Sequence, residues 1–292
     1  MFSTLNWARP GRFPFHWLLF RAGRALALRH YRFSLSVLTV AGEIGFNLPA
    51  GSAPIPNNDL VDPRGPAVRA QSAFLSARAR HESEPRNLDA AWQFARACFD
   101  RAEFATNRAE RAAIAEQGID ACRQAVARAT NSAPAHYYLA MNLGQLAQTK
   151  MLGALKIVPE MEREFKTVRT LDERFDYAGP DRNLGLLYCE APAIGSIGSR
   201  TKARQHLERA VELLPDYPEN RLNLLEACLK WGDRTGAQRE LKSLEALWPR
   251  AQTNLPAEVW AANRTDWNAR LEKARKKIDE LPKRFESPRE KS

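Results

Sequence analysis

The sequence contains little cysteine and little histidine, with 4 Cys and 5 His among 292 residues. Cys98, Cys122, Cys189 and Cys228 form no CxxC pair, which argues against a disulfide framework and a zinc site. The sequence also lacks an HExxH pair, a GxSxG turn and a GxxxxGK[S/T] phosphate loop. We therefore predict no catalytic residues, no metal, no cofactor and no enzymatic activity, with the four thiols packed in helices.

Alternating runs of β-branched residues are missing as well, so the sequence offers no candidate strands for a sheet. From about Ala67 to Leu281, Ala, Leu, Glu and Arg predominate, and apolar residues recur at spacings of three and four. This spacing is typical of amphipathic helices, and these residue types favour helix. We predict an all-α protein.

Acidic residues are absent from residues 1–42, and this absence explains much of the net charge of +10. Residues 1–56 contain six Arg and one acid (+5), and residues 270–292 contain nine basic and five acidic residues (+4). The remaining residues, 57–269, contain 29 basic and 28 acidic residues (+1). Because the body is nearly neutral and lacks basic patches with interleaved aromatic residues, we predict no nucleic-acid partner.

The N-terminal segment has the parts of a secretory signal peptide in the usual order. Its arginines precede an apolar stretch, Phe33–Leu48, and small residues follow at Gly51 and Ala53. Residues 1–53 are therefore a candidate signal peptide of an exported or periplasmic protein; the alternative is a basic leader on a cytoplasmic one. The apolar stretch spans 16 residues and contains Glu43, so no stable transmembrane span is expected. The proline-rich residues 54–66 form a predicted linker.

The helical region contains an internal repeat. A pattern of four residues recurs after 34 residues. It consists of a small residue, a large residue four positions later, a small or apolar residue seven positions later and Pro twelve positions later. The two copies are Ala203, Leu207, Ala210 and Pro215, and Ala237, Leu241, Leu244 and Pro249. A second pattern, repeated on the intervening helices, is His136-x2-Leu139-Ala140-x2-Leu143, Asp181-x2-Leu184-Gly185-x2-Tyr188 and Arg221-x2-Leu224-Leu225-x2-Cys228. Small residues allow two helices to approach closely, and Pro is expected to mark the turn after the second helix.

With these two patterns the chain resembles the tetratricopeptide repeat (TPR) family, whose unit is a 34-residue helix-turn-helix. Residues 218–251 match best, residues 178–217 and 133–177 carry insertions, and a fourth unit contains Trp92 and Cys122. The resemblance implies an α-solenoid of about four helix pairs, some with elongated helices, over residues 67–251. A generic helical bundle with the same spacing is the alternative.

Residues 252–292 are predicted to form a capping helix and a basic tail. Six apolar residues follow the spacing of one helix face: Trp260, Trp267, Leu271, Ala274, Ile278 and Leu281. Five basic residues are expected on the other faces, in contact with water: Arg270, Lys273, Arg275, Lys276 and Lys277.

The six-residue insertion in the unit at 178–217 is a candidate ligand loop. It contains Gly195 and Gly198, followed by Ser199 as a predicted N-cap and Arg200 in the first turn. Backbone N–H groups and a cation at a helix N-terminus suit an anion. The alternative is a capped surface loop without a ligand.

TPR domains commonly bind extended peptides in a concave groove formed by the first helix of each pair, and the resemblance implies such a groove here. Six residues have the spacing of this face and are the predicted partner-binding residues: Tyr137, Gln145, Arg182, Glu190, Glu226 and Lys230. We accordingly predict a non-enzymatic scaffold that binds a protein or peptide partner. No residue pattern indicates the oligomeric state.

Two other functions remain open. The elongated helices give a fainter resemblance to the TPR-like accessory subunits of bacterial tripartite (TRAP) transporters, which implies a closed small-ligand pocket lined by tyrosines: Tyr137, Tyr138, Tyr177 and Tyr188. A hydrolase could use Asp181 and Glu190 as acid and base. A helix start capped by Asp181 and an exposed Glu190 would explain the same residues without catalysis.

Overall fold

The computed structural model of the protein describes residues 65–150 and 153–281. The predicted leader at 1–53, nearly all of the predicted linker and the tail beyond residue 281 lie outside these residues. The described part contains ten helices and no strand. They are α1 (Pro66–Ser83), α2 (Leu88–Ala102), α3 (Arg108–Arg128), α4 (Ala133–Thr149), α5 (Ala154–Leu171), α6 (Phe175–Glu190), α7 (Arg200–Leu213), α8 (Pro218–Lys230), α9 (Arg234–Asn254) and α10 (Ala257–Glu280).

The helices pack as four successive pairs, α2 with α3, α4 with α5, α6 with α7 and α8 with α9. The first helices, α2, α4, α6 and α8, contact one another in that order, and each second helix contacts the first helix of the next pair. Helix α1 packs on α2 at one end, and α10 packs on α8 and α9 at the other. The predicted all-α solenoid of four helix pairs with a capping helix is confirmed.

Side-chain caps fix where several helices begin. Asn87, Asn107 and Ser132 accept hydrogen bonds from backbone N–H groups in the first turns of α2, α3 and α4. Asp233 caps α9 in the same way. These N–H groups have no partner inside the helix, so each cap stabilises a helix start by about 1 kcal/mol.

The repeated small residues lie where neighbouring helices touch. Ala203, Leu207 and Ala210 are all fully buried on α7. On α6, a Cβ added to Gly185 would come within 2.6 Å of the Leu207 side chain. The pattern therefore reports a close helix contact, as predicted, and only glycine fits opposite Leu207 without a shift.

The expected role of Pro249 is wrong, whereas that of Pro215 is confirmed. Helix α7 ends at Leu213, just before Pro215, but α9 continues past Pro249 to Asn254. Ala251, in that continuation, is fully buried in one apolar cluster with Val259 of α10. Burial of the extra turn against α10 offsets the hydrogen bond that a proline cannot donate.

The inserted residues appear partly as longer helices and partly as a loop. Helices α3 and α5 have 21 and 18 residues. The insertion in the unit at 178–217 instead connects α6 to α7 as an irregular loop at residues 191–199. The predicted domain boundary at 251/252 falls inside α9 rather than between helices.

The four cysteines are free, as expected. Cys98, Cys122 and Cys228 are buried and Cys189 is half-buried. Burial raises the pKa of the Cys189 and Cys228 thiols to about 11. These thiols therefore remain protonated at neutral pH and pack as small apolar groups.

Candidate functional site

The candidate partner surface is formed by the four first helices, α2, α4, α6 and α8, and is called the first-helix face below. It is the side of the solenoid that the TPR resemblance makes concave. Three of the six predicted partner-binding residues, Tyr137, Gln145 and Arg182, are fully buried. The expectation that these three line an open groove is wrong, because their side chains are used for contacts between helices.

Tyr137 lies at the centre of a buried network between α4 and α6. Its hydroxyl donates to Asp176 Oδ2 and accepts a hydrogen bond of 2.9 Å from Asn183 Nδ2. Its ring meets those of Phe165 and Phe175 edge to face. Burial raises the pKa of Asp176 to about 8, although Tyr137 and Arg96 oppose the shift.

Arg182 holds an unusual turn at the start of α6. Asp176, Tyr177 and Ala178 have φ of 51°, 55° and 62°, the left-handed region, which non-glycine residues rarely adopt. The Arg182 guanidinium donates to the carbonyl oxygens of Asp176 and Tyr177 at 3.0 and 2.8 Å. It also donates to Asp176 Oδ2 at 2.9 Å and to Asn220 Oδ1 at 3.1 Å. These four bonds stabilise a conformation that is otherwise unfavourable by about 1–2 kcal/mol per residue.

Gln145 links three elements. Its Nε2 donates to Glu103 at the end of α2, and its Oε1 accepts a 2.6 Å hydrogen bond from Arg111 of α3. Arg111 in turn lies 3.9 Å from Glu103. Both the nitrogen and the oxygen of this buried amide are therefore engaged within the fold.

The other three predicted residues remain partly accessible. Glu190 of α6 and Lys230 of α8 form an ion pair of 2.8 Å across the first-helix face, and the Lys230 side chain is 45% exposed. Glu226 is 35% exposed and pairs at 2.9 Å with Arg270 of the capping helix. The structure thus brings Glu190 and Lys230 together and places Glu226 beside a residue that the sequence pattern assigned to solvent.

Arg270 is a buried polar residue of the candidate site that the sequence pattern placed in contact with water. It is 5% exposed and reaches from α10 onto the first-helix face of α8. Its guanidinium donates to Glu219 Oε1 and Asn223 Oδ1, both at 2.6 Å, and to both oxygens of Glu226 at 2.9 Å. Trp267 Nε1 donates to the second oxygen of Glu219 at 2.6 Å. Although burial opposes the shift, Arg270 holds the pKa of Glu219 below its ordinary value.

A further charged group lies on α2. Arg96 and Asp100 form a one-turn ion pair of 4.0 Å with side chains 23% and 21% exposed. Burial raises the pKa of Asp100 to about 7, against the attraction of Arg96. The sequence signal for this pair was their spacing of four residues on a first helix.

The candidate ligand loop has the capped structure of the alternative interpretation. Ser199 caps α7 by accepting from Lys202 N, while the N–H groups of Ser199 and Gly198 donate to carbonyl oxygens of Tyr188 and Pro192. A Cβ on Gly198 would lie 2.1 Å from the Ala191 oxygen, so glycine is required there. These N–H groups are not available to an anion. Gly195 adopts φ of 77°, and the Arg200 guanidinium lies 5.2 Å above the Trp231 ring.

Asp181 does not cap a helix, contrary to the interpretation that explained it without catalysis. It is fully buried inside α6, with Oδ1 2.6 Å from His206 Nδ1 and Oδ2 3.2 Å from Arg169 Nε. Glu190 is engaged with Lys230, so the two carboxylates proposed as acid and base have separate partners. His136 is a packed helix residue, and its Nδ1 lies 2.6 Å from Glu164 Oε2.

The four tyrosines expected around a small-ligand pocket pack against other side chains of the fold. Tyr137, Tyr138 and Tyr188 are at most 2% exposed. Tyr177 stacks on Tyr217, with ring centroids 4.3 Å apart. In the described residues, these rings therefore pack within or against the apolar core.

Comparison with known proteins supports the fold. The structure matches the crystal structure of a thermophilic TPR protein from Thermus thermophilus with a TM-score of 0.51 and 19% identity, over 71% of this chain and 91% of that chain. The chain has a TPR-like fold. A family model described as regulator of microtubule dynamics protein 1-3 matches residues 65–154, which contain α1 to α4. The search of curated proteins found no match.

Across residues 65–150 and 153–281, no group of three or more His, Cys, Asp or Glu side chains could hold a metal ion. Among the helices described, none combines the length and the apolar character needed to cross a membrane.

Proposed function

We propose that this protein is a non-enzymatic interaction scaffold that binds a protein or peptide segment on its first-helix face. The observation that carries the proposal is the TPR-like stack of four helix pairs, because folds of this kind generally mediate protein interactions. The match of α1 to α4 to the family of regulators of microtubule dynamics also supports a role in association. Glu190, Glu226 and Lys230 are the predicted residues that a partner can reach.

Site-specific crosslinking tests this proposal better than substitution of Tyr137 or Arg182, which would disrupt the fold. A photoreactive residue is placed at Lys230 on the first-helix face, where the side chain is 45% exposed. The matched control is Arg163 of α5, 65% exposed on a second helix. We expect adducts with a protein partner from position 230 and none from position 163. Equal adducts from both positions would contradict a partner site on the first-helix face.

Purified tubulin is one defined partner for this assay, because the matched family model is described as a regulator of microtubule dynamics. Co-sedimentation of the full chain with microtubules gives an independent measurement. We also propose export, on the basis of the sequence of residues 1–53 alone. Mass spectrometry of the mature N-terminus tests it: a chain that begins after Ala53 supports export, and an intact Met1 contradicts it.

A further inference from the structure

The four connections within the helix pairs lie at one edge of the solenoid, which is called the turn edge below. They comprise residues 103–107, 150–153, 191–199 and 231–233. The chain reverses direction at each connection, so α2, α4, α6 and α8 run the same way and end at the same edge. Two contacts join these ends: Gln145 of α4 donates to Glu103 beyond α2, and Lys230 Nζ of α8 donates at 2.8 Å to the carbonyl oxygen of Cys189 in α6.

A loop of the turn edge holds one apolar side chain almost entirely in water. Ile194, in the connection from α6 to α7, is 93% exposed. The loop is anchored beside it, because Gly198 N donates to the Pro192 oxygen at 3.0 Å and Ile197 packs against the core. Leu155, in the first turn of α5, is a second apolar side chain of this edge and is 43% exposed. Removal of these two side chains from water by a partner would be favourable.

The exposed charges of the turn edge are all positive. Across its described residues and the first three residues of each helix that follows, the exposed charged side chains are Arg108, Lys150, Lys156, Arg200 and Lys202. None of the five forms an ion pair with a described carboxylate. The half-buried carboxylates at the same positions accept hydrogen bonds from other side chains of the fold: Glu103 from Gln145, Glu110 from Arg101 and Asp233 from Arg204.

The opposite edge is formed by the connections that lead into the first helices, and its exposed charges are mixed. The same positions there expose Arg86 and Arg174 together with Glu84, Asp89 and Asp172. Residues 57–269 as a whole are also nearly neutral, with 29 basic and 28 acidic groups. The positive charge is therefore a property of the turn edge and not of the whole solenoid.

Exposed apolar side chains among cations suit the surface of an anionic lipid bilayer. Lipid phosphates attract Lys and Arg, and the hydrocarbon below the headgroups can receive a side chain such as Ile194. An acidic polypeptide or a nucleic acid offers the negative charge without an apolar layer behind it. The combination of charge and apolar exposure thus favours a bilayer over these two polyanions.

We propose that the turn edge docks on an anionic lipid bilayer, with Ile194 and Leu155 inserted below the headgroups and the five cations placed against the lipid phosphates. The inference is independent of the proposed function, since docking does not use Glu190, Glu226 or Lys230. Each cation close to an anionic leaflet strengthens binding about fivefold, so docking weakens as salt is raised.

Lipid crosslinking on the full chain locates the contact. A photoreactive residue replaces Ile194, and in the matched control it replaces Arg163 of α5, which is 65% exposed. The vesicles contain phosphatidylcholine alone or with about 30% phosphatidylglycerol, an anionic lipid. We expect lipid adducts from position 194 with the anionic vesicles, and few from position 163 or with the neutral vesicles. Equal lipid adducts from both positions, or adducts of position 194 with the chain itself in place of lipid, overturn the proposal.

Flotation of variants with the anionic vesicles separates the apolar from the charged contribution. Ile194→Ser should weaken binding at least threefold, and Lys150→Glu/Lys156→Glu at least tenfold. The matched control Lys242→Glu/Lys276→Glu makes the same change of charge at exposed positions of α9 and α10, and should weaken binding less than about threefold. Circular dichroism and unfolding midpoints confirm that the variants are folded. An equal loss in the control, or no loss in the turn-edge variants, contradicts docking through this edge.

Other polyanions are tested by anisotropy with a Glu peptide and a single-stranded RNA, each of about twelve units. Either one could bind wild type as tightly as the anionic vesicles do and weaken in Lys150→Glu/Lys156→Glu but not in Ile194→Ser. The turn edge would then be a polyanion site, and the bilayer proposal would be overturned. The crosslinker at Lys230 is read separately. Protein adducts at position 230 without lipid adducts at position 194 overturn only the docking, and the reverse result contradicts only the proposed function.

Discussion

At the scale of single residues, the candidate site is held together by charged side chains that are buried between helices. Arg182 and Arg270 are long cationic side chains on helices, and sequence spacing alone places such residues in solvent. Both are buried because acceptors distant in sequence surround them: Asn220 is 38 residues from Arg182, and Glu219 is 51 residues from Arg270. The spacing of residues along a helix gives no information about partners so distant in sequence. The burial of these two arginines could therefore be seen only in the structure.

Arg270→Met tests the buried cluster. The substitution keeps a long side chain but leaves Glu219 buried without its cation, and removal of one partner of a buried pair is unfavourable by about 3–5 kcal/mol. We expect the free energy of unfolding, measured in urea by circular dichroism, to fall by that amount. Arg275→Met is the control: Arg275 and Glu245 are 40% and 46% exposed, so the loss should stay below about 1 kcal/mol. Similar losses in the two variants would contradict a buried cluster.

Asp100→Asn tests a pH dependence. Burial raises the pKa of Asp100 to about 7, above the value of about 3.9 in an unfolded chain. The contribution of this group to stability is therefore fully present below about pH 4 and is lost as pH rises to about 7, by at most about 1.4 kcal/mol per pH unit. Because Asn stays neutral, we expect the unfolding free energy of wild type to fall relative to that of Asp100→Asn over this range and then to stay constant relative to it.

The control for this measurement is Asp120→Asn, since Asp120 is exposed on α3. The difference in unfolding free energy between Asp120→Asn and wild type should vary much less between pH 4 and 7. A constant difference for Asp100→Asn over the same range would show that Asp100 ionises in the folded protein as it does in the unfolded chain.

At the scale of helices, local sequence patterns predicted the pairs well and their ends unevenly. Ala203 and Leu207 revealed close packing because small and large residues alternate at fixed spacing, and Ser199 revealed the start of α7 through its cap. The end of α9 was missed because it depends on α10, which covers Ala251. The start of α6 was not predicted. Its left-handed turn is held by hydrogen bonds from the Arg182 side chain, and helix propensities do not describe such a turn.

Pro249→Ala tests this explanation of α9. A proline inside a helix is less favourable than alanine by up to about 3 kcal/mol, partly offset by the stiffer unfolded chain. We expect the variant to raise the free energy of unfolding by about 1–3 kcal/mol. The matched substitution Pro215→Ala lies after the end of α7 and should change stability by less than about 1 kcal/mol, with a loss rather than a gain. Destabilisation by Pro249→Ala would contradict a continuous α9.

At the scale of the whole molecule, a solenoid predicts that a loss of packing in one helix destabilises mainly its neighbours, and that α1, which buries few residues, is less stable than the central helices. Helix α1 buries only Ala70 and Phe74 and packs mainly on α2. Helix α4 instead contacts α2, α3, α5 and α6. Because each pair contacts only its neighbours, loss of packing at one end should not unfold the other.

Hydrogen exchange of Phe74→Ala and Phe165→Ala measures this transmission. Phe74 is 7% exposed in α1, and Phe165 is 1% exposed in α5, where it packs edge to face on Tyr137. Each truncation should remove about 3–5 kcal/mol of packing where it occurs. We expect Phe74→Ala to speed amide exchange in α1 and α2 while α8 to α10 keep their wild-type rates. Phe165→Ala should speed exchange in α4 to α7, because Tyr137 couples α5 to the turn that starts α6. Faster exchange of α10 in Phe74→Ala would show that the ten helices unfold as one cooperative unit.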